Sequence, residues 1–419
     1  MKQVFTGAAV LNGLGGSPLK DGTIVIEGDR IVEVGPAASI AVPPDAVVWS
    51  LDSSYTVMPG LIDCHDHVGH PGIGAAALGA KTVPHAVALV AKALRETIEG
   101  GVTTLRDAGG LGYGFKVAVD EGLFLGPRLV LSLAIISRTG GLGDACGIFG
   151  YGTEQWIIPG VPNGVCDGTD GGRTKVRELH RSGASAIKVA MTGGIRSGAL
   201  QPGFTEAEVA AVVDEAHALD LRVLCHCHGG PGLRYALAAG VDSIDHGLYL
   251  VDDEESMRRM ADQGTFYVPT MLVLRFHGSA GEGRAKETAR MLREQHRRGL
   301  VRAAELGVRI ASGTDAGAFG HSHHACELEM FVEAGFSSAD AVRFATSSSA
   351  ECLGLGDSVG TLDTGYLADL LVVDGDPLAD VRILQDRDRI KMVMKGGVPV
   401  RGTLGVPQSA TDREAGAPA

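Results

Sequence analysis

The chain has 419 residues, of which 45% are hydrophobic and 21% are charged, so it can bury a large core in one big domain and a smaller one. Acidic residues outnumber Lys and Arg by 50 to 37, and the net charge of −13 disfavours nucleic acid and polyanionic partners, which require basic surface. No stretch reaches the about 20 apolar residues of a membrane span, and the seven cysteines show no disulfide spacing. We therefore expect a cytoplasmic protein that binds neither nucleic acid nor a membrane.

The two ends of the chain have the same β-rich character. Short strand patterns separated by Gly, Asp and Pro occupy residues 1–56, and similar patterns occupy residues 358–403. Because so few strands cannot bury a face alone, we predict that both segments join in one small β-sandwich domain. We expect the tail, residues 404–419, to be disordered.

Residues 57–357 repeat one unit, in which a helix, a glycine and an apolar strand are followed by a polar residue. A capping box of Thr205 and Glu208 begins one of these helices, and Gly240 ends the next one. Repeated βα units imply a parallel sheet, and this length suits an α/β fold of the TIM (β/α)8 barrel class, which places catalytic groups at the C-terminal ends of its strands. Residues 277–286 are predicted to form a mobile loop on that face.

Six polar residues stand at or near the C-terminal ends of these apolar strands. They are four imidazoles, one lysine and one carboxylate: His65, His67, Lys188, His226, His246 and Asp315. Side chains two apart on a strand leave the same face, so the first two imidazoles can reach one ion. Because the strand ends of a barrel converge on one face, the set predicts a hydrolytic site with two metal ions.

Each of these residues also has a plainer interpretation. His65 and His67 could form a polar turn, Asp315 could start a turn before Gly317, and Lys188 could be a salt-bridged lysine. Lys188 has no obvious anion nearby in the sequence, and burial of an unpaired ammonium is costly. The alternative is a neutral amine that reacts with carbon dioxide, giving an anionic carbamate that can bridge two ions. Beside four histidines and Asp315, we prefer the carbamate.

In the segment "LCHCHGG", two histidines alternate with two cysteines. By the strand period of two, His226 and His228 face one way and Cys225 and Cys227 face the other. We predict that the histidines point into the barrel and that the cysteines pack against helices as small hydrophobic residues. A metal site built from the cysteine pair is the competing interpretation. The later histidines, His321, His323 and His324, are expected on a solvated loop.

At these positions the chain resembles the amidohydrolase superfamily. The segment "VMPGLIDCHDHVGH" resembles its H-x-H signature, and "GTLDTGYLADLLVVDGDPL" resembles the return of the chain into the second domain. More narrowly, Lys188, the spacing of His226 and His246, "GTDAG" and "ELEMFVEAG" resemble one branch. That branch contains Xaa-Pro dipeptidases, other dipeptide-cleaving carboxypeptidases and ochratoxin hydrolases, often described as imidazolonepropionase-like.

The resemblance implies a centre with two divalent ions, most commonly zinc, that cleaves a small-molecule amide. His65 and His67 would bind the buried ion, His226 and His246 the exposed ion, and carboxylated Lys188 (N6-carboxylysine) would bridge both. Asp315 would contact the buried ion, accept the proton of the bridging water as the hydroxide nucleophile attacks, and pass that proton to the leaving amine. The resemblance also implies a homo-oligomer.

One residue departs from the pattern of this branch. Members typically have "TGGHGD" where residues 139–144 here read "TGGLGD", and that His is thought to contact substrate. Leu142 cannot donate a hydrogen bond, whereas His228 falls where the branch often has Tyr or His near the substrate. The resemblance implies a substrate of the dipeptide or N-acyl amino acid type, and Leu142 argues against a strict dipeptidase and favours a bulkier or more apolar amide or ester. The alternatives are a cyclic amide hydrolase resembling imidazolonepropionase and a catalytically silent homologue.

Overall fold

The computed structural model describes residues 2–70, 81–144, 161–194, 200–280 and 283–402, together with Leu404 and Gln408–Ser409. These residues form two regions, a mixed β-sheet built by the two ends of the chain and an α/β region built by the middle. Within the described parts of the chain, no helix combines the length and apolar character needed to cross a bilayer.

The sheet of the chain ends has nine strands. They are β1 (Lys2–Val10), β2 (Leu19–Glu27), β3 (Arg30–Pro36), β4 (Val47–Ser50), β5 (Tyr55–Pro59), β15 (Leu370–Asp374), β16 (Ile390–Lys395), β17 (Val398–Gly402) and β18 (Gln408–Ser409). Their order is β17-β16-β15-β5-β1-β2-β3, and β4 pairs with both β1 and β18. The antiparallel pairing of β5 with β15 joins the two ends, as predicted, although the strands form one continuous hydrogen-bonded sheet.

The prediction of a disordered tail is wrong for two of its residues. Gln408 pairs with Val48 and Ser409 pairs with Val47, so β18 extends the sheet instead of being disordered. The other residues of 404–419, except Leu404, lie outside the described part of the chain.

The middle of the chain alternates parallel strands with helices. The strands are β6 (Leu61–Asp66), β7 (Val102–Asp107), β8 (Arg128–Leu131), β9 (Ile135–Ile136), β10 (Ala186–Ala190), β11 (Arg222–Cys227), β12 (Ser243–His246), β13 (Phe266–Val268) and β14 (Arg309–Ile310). The helices are α1 (Val83–Glu99), α2 (Tyr113–Asp120), α3 (Gly168–Arg181), α4 (Glu206–His217), α5 (Pro231–Ala239), α6 (Glu254–Gln263), α7 (Met271–Ala280), α8 (Gly283–Glu305), α9 (Cys326–Ala334), α10 (Ser338–Phe344) and α11 (Ser347–Cys352).

These strands form two parallel sheets, β6-β7-β8 and β9-β10-β11-β12-β13-β14. Between β8 and β9, Leu133 has a left-handed φ of 63°, which interrupts the strand pattern. At the other seam, the Cys64 N–H donates to the Ser312 carbonyl at 2.8 Å and the Thr314 N–H donates to the His65 carbonyl at 3.1 Å. The arrangement is a TIM-barrel-like α/β fold.

Local signals in the sequence explain several element boundaries. Thr205 and Glu208 form the predicted capping box at the start of α4, and Gly240 ends α5 with a left-handed φ of 84°. The predicted loop at 277–286 is wrong, because α7 and α8 occupy all of it except residues 281–282, which are outside the described residues. Its glycines and polar residues suggested a loop, but tertiary packing overrides such weak local preferences.

Candidate metal centre

The first half of the site lies where β6 meets the segment after β14. His65 and His67 project from the end of β6, and the Nε2 atoms of both rings lie 3.6 Å from Oδ1 of Asp315. Two imidazole nitrogens and one carboxylate oxygen therefore converge on one point. His65 is 1% exposed, and backbone hydrogen bonds tie the two segments together, because the Asp315 N–H donates to the His65 carbonyl at 2.7 Å.

The second half of the site is formed by the ends of β11 and β12. The ring centroids of His226 and His246 lie 4.6 Å apart, and those of His65 and His246 lie 4.7 Å apart. Asp245 and His246 are adjacent, so regular strand geometry would send them to opposite faces. A left-handed φ of 73° at His246 breaks that alternation and brings both side chains to the site.

The backbone at His246 is held in this unusual conformation by neighbouring side chains. The hydroxyl of Tyr267 donates to the His246 carbonyl at 3.0 Å, and the ring of His296 donates to the same carbonyl. The Nδ1 atom of His246 lies 2.8 Å from the hydroxyl of Thr270. These contacts fix both the peptide and the ring orientation, and they leave Nε2 of His246 to face the centre.

All four imidazoles use one ring nitrogen for a contact outside the centre. The contacts are His65 Nδ1 to Asp245 Oδ2 at 2.8 Å, His67 Nδ1 to the Gly109 carbonyl at 2.8 Å, His246 Nδ1 to Thr270 Oγ1 at 2.8 Å and His226 Nε2 to the Gly193 carbonyl at 3.2 Å. Metal-ligating histidines show this pattern, because the outer bond selects the tautomer and leaves the second nitrogen for the ion.

The electrostatics of the pocket fit a divalent ion. Burial lowers the pKa of His65 to about 4 and holds the pKa values of His67, His226 and His246 well below the usual range. The rings are therefore neutral, as metal ligands must be. Ligand atoms of His65, His246 and Asp315 all lie within 4.8 Å of one another. Nitrogen and carboxylate donors of this kind suit zinc and related ions.

Lys188 lies next to His65, and it has a partner that the sequence pattern does not reveal. Its side chain is 1% exposed, and Nζ lies 2.9 Å from Oδ2 of Asp245 and 3.4 Å from Nδ1 of His65. Burial lowers the pKa of Lys188, while the Asp245 carboxylate opposes that shift. Asp245 also lies 3.7 Å from the guanidinium of buried Arg106. The strand period alone could not have revealed Asp245, because it assigns only one of two adjacent residues to the site.

Asp315 has the most unusual carboxyl group of the centre. Burial raises its pKa to about 7, although the charge of Lys188 opposes this. Its φ of 57° is left-handed, and its side chain is 22% exposed. A carboxyl group that titrates near neutrality and reaches the cavity can exchange protons with a substrate.

A cavity of about 280 Å³ opens above these residues. Besides the candidate ligands it is lined by His228 and Leu142 and by further apolar side chains, Ile135, Leu248, Val273 and Leu274. His228 is buried, burial lowers its pKa to about 3, and neither ring nitrogen has a hydrogen-bond partner among the described residues. Cys225 and Cys227 pack in the main hydrophobic core, as predicted.

The expectation of a solvated loop is wrong for two of the later histidines. His321 and His324 are buried, and their Nε2 atoms lie 3.1 and 2.7 Å from the carboxylate of Asp66. Burial lowers the pKa of His324, but the hydrogen bond and charge of Asp66 raise it above its usual value overall. Because Asp66 lies between His65 and His67, this contact ties the H-x-H segment to the loop that follows Asp315.

Comparison with known proteins agrees with this geometry. Residues 56–400 match the amidohydrolase family. The chain is 32% identical to ochratoxinase of Aspergillus niger over 411 residues, covering 92% of this chain and 84% of the relative, and 25% identical to imidazolonepropionase of Rhizobium meliloti, covering 87% of each. The crystal structure of a prolidase complexed with N-methylphosphonate-L-proline superimposes with a TM-score of 0.87 at 30% identity, covering 96% of this chain and all of that one.

The fold and the site together define a hydrolase of carbon–nitrogen bonds with a candidate metal centre. The chain belongs to the amidohydrolase family.

Proposed function

We propose that this protein is a zinc-dependent amide hydrolase with two ions at the C-terminal end of an eight-stranded barrel. The observation that carries the proposal is the convergence of His65 Nε2, His67 Nε2 and Asp315 Oδ1, opposite the paired rings of His226 and His246. The first three residues would hold the buried ion, and the last two would hold the exposed ion. When bound, two such ions lower the pKa of a water molecule and polarise a carbonyl.

Lys188 is proposed to bridge both ions as a carbamate. Two observations support this role. Nζ lies 3.4 Å from Nδ1 of His65 and Lys188 lines the same cavity as the other candidate ligands, and burial lowers its pKa, which favours the neutral amine that reacts with carbon dioxide. Mass spectrometry of the intact protein at mildly alkaline pH checks this step, because a carbamate adds the mass of one carbon dioxide. Its absence in a fully active, metal-loaded protein would remove Lys188 from the bridging role.

The remaining side chains supply proton transfer and orientation. Asp315 accepts the proton of the attacking water and passes it to the leaving nitrogen, a role that suits a carboxyl group with a pKa of about 7. His228 is neutral, buried and without a partner among the described residues, so it can donate a hydrogen bond to the substrate carbonyl. An unpaired buried polar group costs about 1–3 kcal/mol, which a bound substrate relieves.

The lining of the cavity favours an N-acyl amino acid with a bulky apolar acyl group over a small dipeptide. Leu142 stands 40% exposed at the cavity wall, beside Gly194. We expect kcat/KM for N-acyl amino acids with aromatic acyl groups to exceed that for Xaa-Pro dipeptides. In a Leu142→His variant that ratio should fall by about tenfold. A clear preference of the unaltered enzyme for small dipeptides would contradict this assignment.

A further inference from the structure

A second cavity, of about 240 Å³, lies between α7, α8 and α9. Leu274 lines both this cavity and that of the candidate metal centre, so the two spaces are neighbours. Part of its wall is apolar, formed by Met271, Leu274, Met330 and Ala334, and the rest carries charges of both signs. A ligand that fills it must therefore present an apolar body and polar groups of opposite charge.

The charged groups of this second cavity are unequally engaged. Arg297 is fully occupied, because it forms two hydrogen bonds with Glu294 at 2.7 and 2.8 Å and one with the Ala334 carbonyl. Arg290 bonds the Gly278 carbonyl at 3.2 Å and has no carboxylate within 4.0 Å among the side chains that the structure describes. Arg293 lies 3.9 Å from Glu333, beyond hydrogen-bond distance. Among the described side chains, Arg290 thus has no carboxylate partner, and Glu333 is shared between Arg275 and Arg293, at 3.9 Å from each.

His296 adds a buried polar atom to the same cavity. The residue is 1% exposed and lines the cavity, yet its Nε2 has no hydrogen-bond partner among the described residues. Its ring donates to the His246 carbonyl, and a neutral imidazole that donates through one nitrogen accepts through the other. The two ring nitrogens point in divergent directions, so Nε2 faces away from His246 and is ready to accept a hydrogen bond from a ligand.

We propose that the second cavity binds a free α-amino acid with an apolar side chain. Its carboxylate meets Arg290 and Arg293, its ammonium group donates to Nε2 of His296 and pairs with Glu333, and its side chain packs on the apolar wall. An acid without an amine leaves Nε2 of His296 without a partner, and an amine without an acid leaves Arg290 without a carboxylate, among the residues that the structure describes. A zwitterion satisfies all four groups.

The second cavity is connected to the candidate metal centre through His296. His296 contacts the ligand on one side and the carbonyl of the candidate ligand His246 on the other. If the proposed function holds, the amino acid is of the same class as the amine product of hydrolysis, so the cavity would sense product. The binding event itself does not depend on that function.

Isothermal titration calorimetry of the full-length protein with L-leucine and L-phenylalanine tests the proposal. We expect saturable 1:1 binding that persists after chelator treatment, because the second cavity contains none of the candidate metal ligands. Affinity should fall at least tenfold for 4-methylpentanoate and for 2-phenylethylamine, which lack the amine and the carboxylate respectively. Binding that disappears on chelator treatment would place the amino acid at the metal centre and overturn the proposal.

Variants locate the binding site independently of activity. The double variant Arg290→Gln/Arg293→Gln should weaken amino-acid binding at least tenfold, whereas Arg298→Gln, an exposed position on α8 outside the cavity lining, should leave it unchanged. His296→Asn should weaken binding while circular dichroism shows a folded chain. Equal affinity in the double variant and in Arg298→Gln would refute the site. An inactive protein that still binds the amino acid would refute only the proposed hydrolase function.

Discussion

Two regions of the molecule bury different kinds of side chain. The sheet of the chain ends buries apolar side chains, and the candidate metal centre of the α/β region buries polar and charged ones. In the sheet, Phe5 stacks on Trp49 with ring centroids 4.7 Å apart, inside a cluster of buried aliphatic residues. At the candidate metal centre, imidazoles, Lys188 and Asp245 are packed beside the partly exposed Asp315, and ligand atoms of His65, His246 and Asp315 lie within 4.8 Å of one another. The first arrangement is stable by itself. The second buries polar and charged groups at a cost in stability, as expected of the metal site proposed above.

Loss of the Asp315 carboxyl group, which is proposed to transfer the proton, should have the largest effect on activity. Asp315→Asn keeps the size of the side chain but removes its ability to accept a proton, and general-base catalysis contributes about 10²–10⁴-fold. We expect kcat to fall by about 10³-fold and the chain to remain folded. Steady-state kinetics with a metal-replete preparation measure this change. Retention of kcat within threefold would show that Asp315 is not the base.

The same residue should make the metal-free protein sensitive to pH. The pKa of Asp315 is about 7 in the folded chain, against about 3.9 in an unfolded one. Between these values the folded state binds more protons, so the contribution of Asp315 to stability is present below about pH 4 and is lost as pH rises to about 7.

The amide of the Asp315→Asn variant cannot ionise, so this variant does not lose stability in the same way as the pH rises. We therefore expect the free energy of unfolding of the metal-free variant to exceed that of the unaltered protein at pH 8 by on the order of a few kcal/mol, with a much smaller difference at pH 5. Urea denaturation of chelator-treated proteins at both pH values measures it. A difference that does not change with pH would contradict the assigned titration.

Removing a hydrogen bond to the His246 carbonyl should have an intermediate effect, which we expect on metal affinity. Tyr267→Phe removes the hydroxyl that donates to the His246 carbonyl and keeps the packed ring. Outer contacts of metal ligands typically contribute about 10–100-fold to metal affinity, so we expect a loss of about tenfold. Competition with a chelating dye reports the affinity, and Tyr235→Phe on α5 is a matched control. Equal affinity of both variants would show that the hydroxyl does not position His246.

A substitution in the sheet should separate stability from activity. Phe5→Leu removes the aromatic stack on Trp49, and we expect it to lower the free energy of unfolding by about 1–2 kcal/mol. The kcat of the folded fraction should not change, since the stack lies in a different region from the metal centre. A reduced kcat at a temperature where the variant is fully folded would show that the two regions are coupled.

Sequence patterns predicted the regular parts of the fold well. The glycine-terminated βα units and the capping box at Thr205 rest on local signals that act within a few residues. The joining of the chain ends followed from a different argument, that neither β-rich segment can bury a face alone. The interpretation of 277–286 as a loop failed because helix formation there depends on packing against neighbours that lie far away in the sequence.

Most of the candidate ligands carry a similar signal, since they stand at or near the end of an apolar strand, whereas Lys188 lies in the middle of β10. Asp245 was not predictable, because its adjacency to His246 violates strand alternation unless the backbone turns left-handed. His321 and His324 were missed because only the folded chain brings them to Asp66. Residues that organise the ligands from outside thus carry little signal in the sequence.

Stepwise metal reconstitution tests the central claim most directly. Chelator-treated protein would be titrated with Zn²⁺ while the hydrolysis of an N-acyl amino acid with an aromatic acyl group and the bound metal are measured on the same samples. Activity should rise to a plateau at two ions per chain, and a folded Lys188→Ala variant should bind fewer ions and remain inactive. Full activity at zero or one ion per chain, or in that variant, would contradict the account.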